Sequence, residues 1–354
     1  MLNRSGSGKL NRSVNLFIVA SPLHYLAAKA IARHFCSGEE CHLFYNRDFL
    51  EEVVKPEGWT TVTYLPWPRF YPKEGPFGRI RRTRANCDVV AEKCAGATVI
   101  RLHVPVIDTE AINYHINFLR GKYPFAVFSV RVLPDGLLNV RRWPLSRMKE
   151  VGQYLKKMRR LIYPSLNYFV FRGDRVGTDS EVVDRIYILP KFPHEYDPAK
   201  VVQITSLVDP IQKDRSMPPG GRALVIGQPL SAIGRMSRNV MEDVTEGIRR
   251  MLSEEGIHEV VYRGHPRDPN NELYHGSYHK DETSVPLEIS LMDNSYDLVV
   301  GICSTGLLTA RSLVGENCRV VAYGINAMTF KDQIQRESIL SVFRKSGVEM
   351  VDHR

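Results

Sequence analysis

The sequence predicts an α/β protein of two domains, each a parallel sheet with helices on both faces. Three observations lead there. The chain has 354 residues, beyond the roughly 250–300 at which a single hydrophobic core stops growing. Short apolar runs rich in β-branched residues alternate with longer segments able to form helices, the pattern of a sheet covered on both sides. Residues 191–220, with Pro193, Pro198, Pro210, Pro218, Pro219 and Gly220, separate two such sets. With 43% hydrophobic and 25% charged residues, the composition is that of a globular chain and not of a disordered one.

In chain order, residues 1–13 read as a flexible N-terminus and 14–205 as the first domain. Val14–Ala20 (VNLFIVA) is a strand stopped by Ser21-Pro22, and Leu23–Phe35 follows as a helix. Cys41–Tyr45, Thr60–Leu65, Ala97–Leu102 and Phe125–Val132 are further strands. Leu133-Pro-Asp-Gly136 ends the last of them, and Leu137–Val140 is a candidate hairpin partner. Met148–Ile162 carries Val151, Tyr154, Leu155, Met158 and Leu161 at helical spacing. That stripe is read as a core face, with contact to an anionic membrane through the basic segment 141–160 as the alternative.

Past a short apolar interruption at Val201–Leu207, the second domain spans 206–354. It contains strand Ala223–Gly227, helix Asn239–Glu254, strand Glu259–Tyr262, a helix near Val285–Asp293, strand Leu298–Gly301, helix Thr305–Leu313 and strand Arg319–Tyr323. This half reads as a doubly wound fold, whose ligands bind at the carboxyl ends of strands. Gln335–Arg354 reads as helical and then loose, with the last helix a candidate to cross back.

Several classes of protein are disfavoured. The six cysteines lack the close pairs of a zinc site and read as reduced thiols of a cytoplasmic protein. The longest apolar stretches are about 5–8 residues, short of the ~20 that span a bilayer, and no signal peptide is expected. A net charge of +9 is concentrated at Arg79–Arg84 and at Arg141–Arg160. It accompanies no recognised nucleic-acid motif, so nucleic acid is not the expected partner.

Three motifs carry the chemistry, each at a strand end. Pro134-Asp135-Gly136 offers a carboxylate on a tight turn. Arg263-Gly264-His265-Pro266-Arg267 sets an imidazole among guanidinium groups, suited to a phosphate. Gly301-Ile-Cys-Ser304-Thr305-Gly306 opens a helix with small hydroxyl residues, either a phosphate seat or an ordinary N-cap. Cys303 is a minor candidate nucleophile, and Arg311 a candidate for a phosphate or a sugar carboxylate. Jointly they describe group transfer, with a carboxylate accepting a proton from an attacking hydroxyl and a His and hydroxyl set stabilising a phosphate leaving group.

Asp135-Gly136, His265-Pro266 and Ser304-Thr305 resemble, in order, the acidic-Gly, His-Pro and Ser/Thr motifs of the bacterial sialyltransferases, including the polysialyltransferases and lipooligosaccharide sialyltransferases. Val225-Ile-Gly-Gln-Pro-Leu230 and Val19-Ala-Ser-Pro-Leu23 are also similar to cleft-lining segments of that group. The resemblance implies a GT-B fold, in which two Rossmann-like domains face each other across a cleft. It implies CMP-sialic acid as donor, a glycan or glycolipid acceptor, inversion, and neither metal nor cofactor. Asp135 would be the general base and His265 the partner of the departing phosphate. Gly136, Gln228, Arg263, Gly264, Pro266, Arg267, Ser304, Thr305 and Gly306 would line the donor site. Pro134 departs from the pattern, since many relatives have an acidic residue there. Donors carrying Kdo, pseudaminic or legionaminic acid, or a CDP-polyol, share this logic. An epimerase of the same architecture and a basic scaffold without catalysis are the remaining alternatives.

Overall fold

The computed structural model describes residues 11–136, 142–189, 192–207, 221–265, 268–283 and 285–353. The expected hairpin at 137–140, Arg141, and residues 191 and 208–220 of the proline-rich junction lie outside them. The chain forms two compact units, Met1–Ile188 with Tyr196–Val202, and Leu189–Glu195 with Gln203–Arg354.

Unit 1 is a parallel sheet. It comprises β1 (Ser13–Val19), α1 (Pro22–Phe35), β2 (Glu40–Tyr45), β3 (Thr61–Tyr64), α2 (Gly78–Glu92), β4 (Val99–Val104), α3 (Glu110–Lys122), β5 (Val127–Val132), α4 (Arg147–Met158), β6 (Val183–Ile188) and β7 (Val201–Gln203). The strand order is β3-β2-β1-β4-β5-β6-β7. In β1 the residues from Val14 to Val19 are all buried, which is why this central parallel strand reads as an apolar run, interrupted only by the hydrogen-bonded Asn15, and not as an alternation. β4 lies beside it with Leu16 opposite Leu102. Ser21 caps α1 by accepting from the His24 N–H, and Pro22 occupies the first turn, where its missing N–H costs nothing.

Unit 2 comprises β8 (Arg222–Ile226), α5 (Arg238–Glu254), β9 (Glu259–Arg263), β10 (His279–Lys280), α6 (Leu287–Asp293), β11 (Leu298–Gly301), α7 (Thr305–Leu313), β12 (Arg319–Tyr323), α8 (Gln333–Lys345) and β13 (Glu349–Val351). Its order β10-β9-β8-β11-β12-β13 is the doubly wound order 3-2-1-4-5-6 of a dinucleotide-binding sheet. Both units are therefore Rossmann-like, and two such α/β domains in one chain are the domain content of the GT-B class. The tail is not loose after its helix, because β13 pairs in parallel with β12.

One expectation is overturned. The apolar stripe of α4 is not a core face. Met148, Val151, Tyr154, Leu155 and Met158 are all exposed, and the buried side chain of the helix is Gln153. Periodicity shows that a helix has an apolar face, but not what that face meets.

Packing in unit 2 also yields a sharp test. Gly227 ends β8 where a Cβ would stand 2.5 Å from the Tyr262 hydroxyl and 3.1 Å from the Glu272 carbonyl. Tyr262 is wholly buried and donates to that same carbonyl at 2.9 Å, so it cannot swing aside. Gly227→Ala is expected to destabilise the protein by about 1–3 kcal/mol through overpacking, read as a lowered urea midpoint with unchanged slope.

Candidate functional site

In unit 2 the strand order reverses between β8 and β11, and loops leaving the carboxyl ends on either side of such a point diverge and open a crevice. β8 runs into Gln228 and β11 into Cys303 and Ser304. The Gln228 Oε1 accepts from the Cys303 N–H at 2.7 Å, tying the two loops together across the switch point. Ser304 is the N-cap of α7. Its Oγ accepts from the Gly306 N–H at 3.1 Å, while its hydroxyl hydrogen stays a donor. Thr305 is exposed on the first turn, where backbone N–H groups and the positive end of the helix dipole point out of the helix.

β9 lies on the other side of β8 and leads through Gly264 to an exposed His265. The carboxyl ends of β9, β8 and β11 thus place His265, Gln228 and Ser304-Thr305 along one sheet edge. Pro266 and Arg267 lie outside the described residues. The loop beyond them is anchored firmly. Its backbone closes through Asp268 N–H to the His265 carbonyl at 2.9 Å. Asp268 Oδ2 then accepts from the Glu272 N–H at 2.6 Å. The buried Glu272 carboxylate in turn accepts from the N–H groups of Ser231 at 3.0 Å and of Ala232 at 3.2 Å, and from the Ser231 hydroxyl. One carboxylate therefore joins the loop after β9 to the loop after β8. Sequence reasoning missed Glu272, because nothing in a surface-like Asn-Asn-Glu run signals a buried acceptor.

Among the described residues, Arg263 and Arg311 are engaged within unit 2. The Arg263 guanidinium, largely buried, pairs with Asp281 at 2.5 Å; burial pushes the Asp281 carboxyl up, but hydrogen bonds from the Thr283 hydroxyl and N–H, and then the Arg263 counter-charge, hold it below its usual range. Arg311 is corrected outright. It donates to the carbonyls of Cys318 and Gly315, each at 2.7 Å, satisfying groups beyond the C-terminal end of α7, whereas Ser304 lies at the other end. Cys303 is no better placed as a nucleophile, since burial pushes its thiol up to about 12. A thiol so protonated is inert at neutral pH. Cys303→Ser is expected to keep activity within about twofold, and iodoacetamide to leave the wild type active.

In unit 1, Asp135 follows β5, and Gly136 takes the left-handed conformation (φ 48°) that turns the chain away. The carboxylate meets His24, a residue the sequence reading did not single out. His24 Nε2 approaches Asp135 Oδ1 obliquely at 3.1 Å, with the two side chains 6% and 30% exposed. The Nδ1 of His24 accepts from the Ala20 N–H at 3.3 Å. In the neutral imidazole this puts the proton on Nε2, towards the carboxylate. The pair sits where α1 leaves β1 and the chain leaves β5, both at the carboxyl edge of the sheet.

Residues 146–320 of the chain are similar to the alpha-2,8-polysialyltransferase (POLYST) family. The matched segment contains Gln228, His265 and Ser304-Thr305, and begins after Asp135. No individual curated sequence matches the chain. Among solved structures it is similar to a putative UDP-N-acetylglucosamine 2-epimerase from Listeria monocytogenes, with 12% identity over 95% of this chain and 88% of that one and a TM-score of 0.49. A UDP-GlcNAc 2-epimerase from Neisseria meningitidis bound to UDP-GlcNAc shares 10% over 96% and 88%, TM-score 0.48. The glycotransferase of kitacinnamycin shares 11% over 97% and 87%, TM-score 0.46. At such identities these structures say nothing of activity.

Proposed function

We propose that the chain is an inverting, metal-independent glycosyltransferase that moves sialic acid from CMP-sialic acid to a hydroxyl of a cell-surface glycan, such as lipopolysaccharide, O-antigen or capsule. The observation that carries this reading is the family likeness over 146–320, which includes the three strand ends holding His265, Gln228 and Ser304-Thr305. In the proposed reaction the acceptor oxygen attacks the anomeric carbon as the bond from that carbon to the CMP phosphate oxygen breaks, inverting the centre. Asp135 takes the acceptor proton, with His24 Nε2–H orienting the carboxylate. CMP leaves as its phosphate, met by His265 as hydrogen-bond or proton donor and by the hydroxyl and backbone donors of Ser304-Thr305. The chain itself supplies every group in this scheme, so no cofactor is invoked, and the protein would work at the cytoplasmic face of the membrane on which surface glycans are assembled.

The test is release of CMP from CMP-sialic acid with a panel of galactoside and sialoside acceptors in the presence of EDTA. Acceptor-dependent release supports the proposal. Turnover of CMP-Kdo or a CDP-polyol with none of CMP-sialic acid would replace the donor, and activity abolished by EDTA and restored by a divalent ion would overturn metal independence.

A further inference from the structure

The helix α4 is built inside out. Its inner side is polar. Gln153 is buried and exchanges two hydrogen bonds with the Phe171 backbone, at 3.2 and 2.9 Å. Lys149 reaches Asp108 at 2.8 Å, Lys156 lies 4.9 Å over the Tyr168 ring, and just past the helix Arg159 pairs with Glu110. Its outer side is apolar. Met148, Val151, Leu155, Met158, Leu161 and Ile162, on α4 and the turn that continues it, are between 56 and 86% exposed. At about 100° per residue these positions up to Met158 share the face opposite Lys149, Gln153 and Lys156. Polar anchors therefore hold the helix down while its apolar stripe is turned outward, the reverse of a surface helix on a globular core.

We infer that α4 and the turn after it form an in-plane docking surface for an anionic lipid leaflet. The charges favour that occupant. Arg147, next to Met148, and Arg160, past the helix, are exposed and Lys157 is half-buried on the same segment, in a chain of net charge +9. Apolar side chains entering the headgroup boundary, flanked by cations that meet anionic headgroups, are the elements of an interfacial helix. A second copy fits less well. The helix has 12 residues and is about 18 Å long, so its face falls far short of the roughly 800 Å² per partner of a stable interface. A symmetric seam would also bring together the cations that the two copies carry on this segment. The inference stands whether or not the proposed donor is correct.

Vesicle co-sedimentation of the full chain tests it, using phosphatidylcholine alone and phosphatidylcholine with about a third phosphatidylglycerol. Wild type is expected to bind the anionic vesicles about tenfold more tightly than the neutral ones, and more weakly as salt rises. L155E/M158E is expected to lower that binding by about tenfold or more, and R147E/R160E to abolish the preference for anionic lipid. The replaced side chains are exposed, so circular dichroism and thermal midpoint should match wild type and separate lost binding from lost folding. Wild type that stays in the supernatant, or an L155E/M158E variant that binds equally, would overturn the inference. So would a wild-type dimer in analytical ultracentrifugation that L155E/M158E converts to monomer, which would assign the face to a second copy.

Discussion

Asp135→Asn is expected to lower the rate of transfer by about 10²–10⁴-fold, the usual contribution of a positioned general base. The amide keeps the size of the side chain and leaves an oxygen for His24 Nε2–H, so the turn and the partner are preserved while basicity is lost. Donor affinity, measured directly with CMP or CMP-sialic acid, should stay within about twofold, because Asp135 is assigned to the acceptor hydroxyl and not to the phosphate. His24→Ala is expected to cost less, about tenfold, and to act on kcat with donor affinity unchanged, since in the proposed reaction the imidazole orients the carboxylate and is not assigned to substrate. An Asp135→Asn enzyme within about tenfold of wild type would remove the residue from the reaction. A His24→Ala enzyme with weakened CMP binding would instead place the imidazole on the donor.

The uneven legibility of these residues has a physical origin. Both sheets were readable because parallel strands buried on two faces become apolar runs, as in Leu16–Val19 and Leu298–Gly301. Ser304 was readable because a small hydroxyl residue between a strand and a helix has few local roles. β6, whose run is broken by Asp184 and Arg185, and the short edge strand β13 were not, since neither carries that signature. His24 was hidden for another reason. Within Ser21-Pro-Leu-His24 it looks like any residue of a capped helix, and its meeting with Asp135 is a tertiary contact that no local pattern encodes. The segment Val19–Leu23, recognisable by its resemblance, stops one residue short of it. In α4 the error was one of sign. A stripe of the correct period was present, but the period does not say whether a stripe faces inward or outward, and only the buried Gln153 on the opposite face decides that.

His265→Ala is expected to reduce kcat/KM by about 10²–10⁴-fold, and inhibition by nucleotide products can assign the loss to the phosphate. CMP and cytidine differ only in the phosphate. If His265 meets that group, the variant should bind CMP at least about tenfold more weakly, the worth of a charge-assisted hydrogen bond, and should bind cytidine as wild type does. Equal weakening of both ligands would point to the nucleoside or to a displaced loop, and no change in either would take His265 out of the donor site. A displaced loop is an outcome the fold disfavours. The turn after β9 is closed by Asp268 on the His265 carbonyl and anchored through Glu272 to Ser231 and Ala232 on the neighbouring loop. None of those bonds uses the imidazole, so its removal should leave the crevice edge in place and expose the phosphate interaction alone.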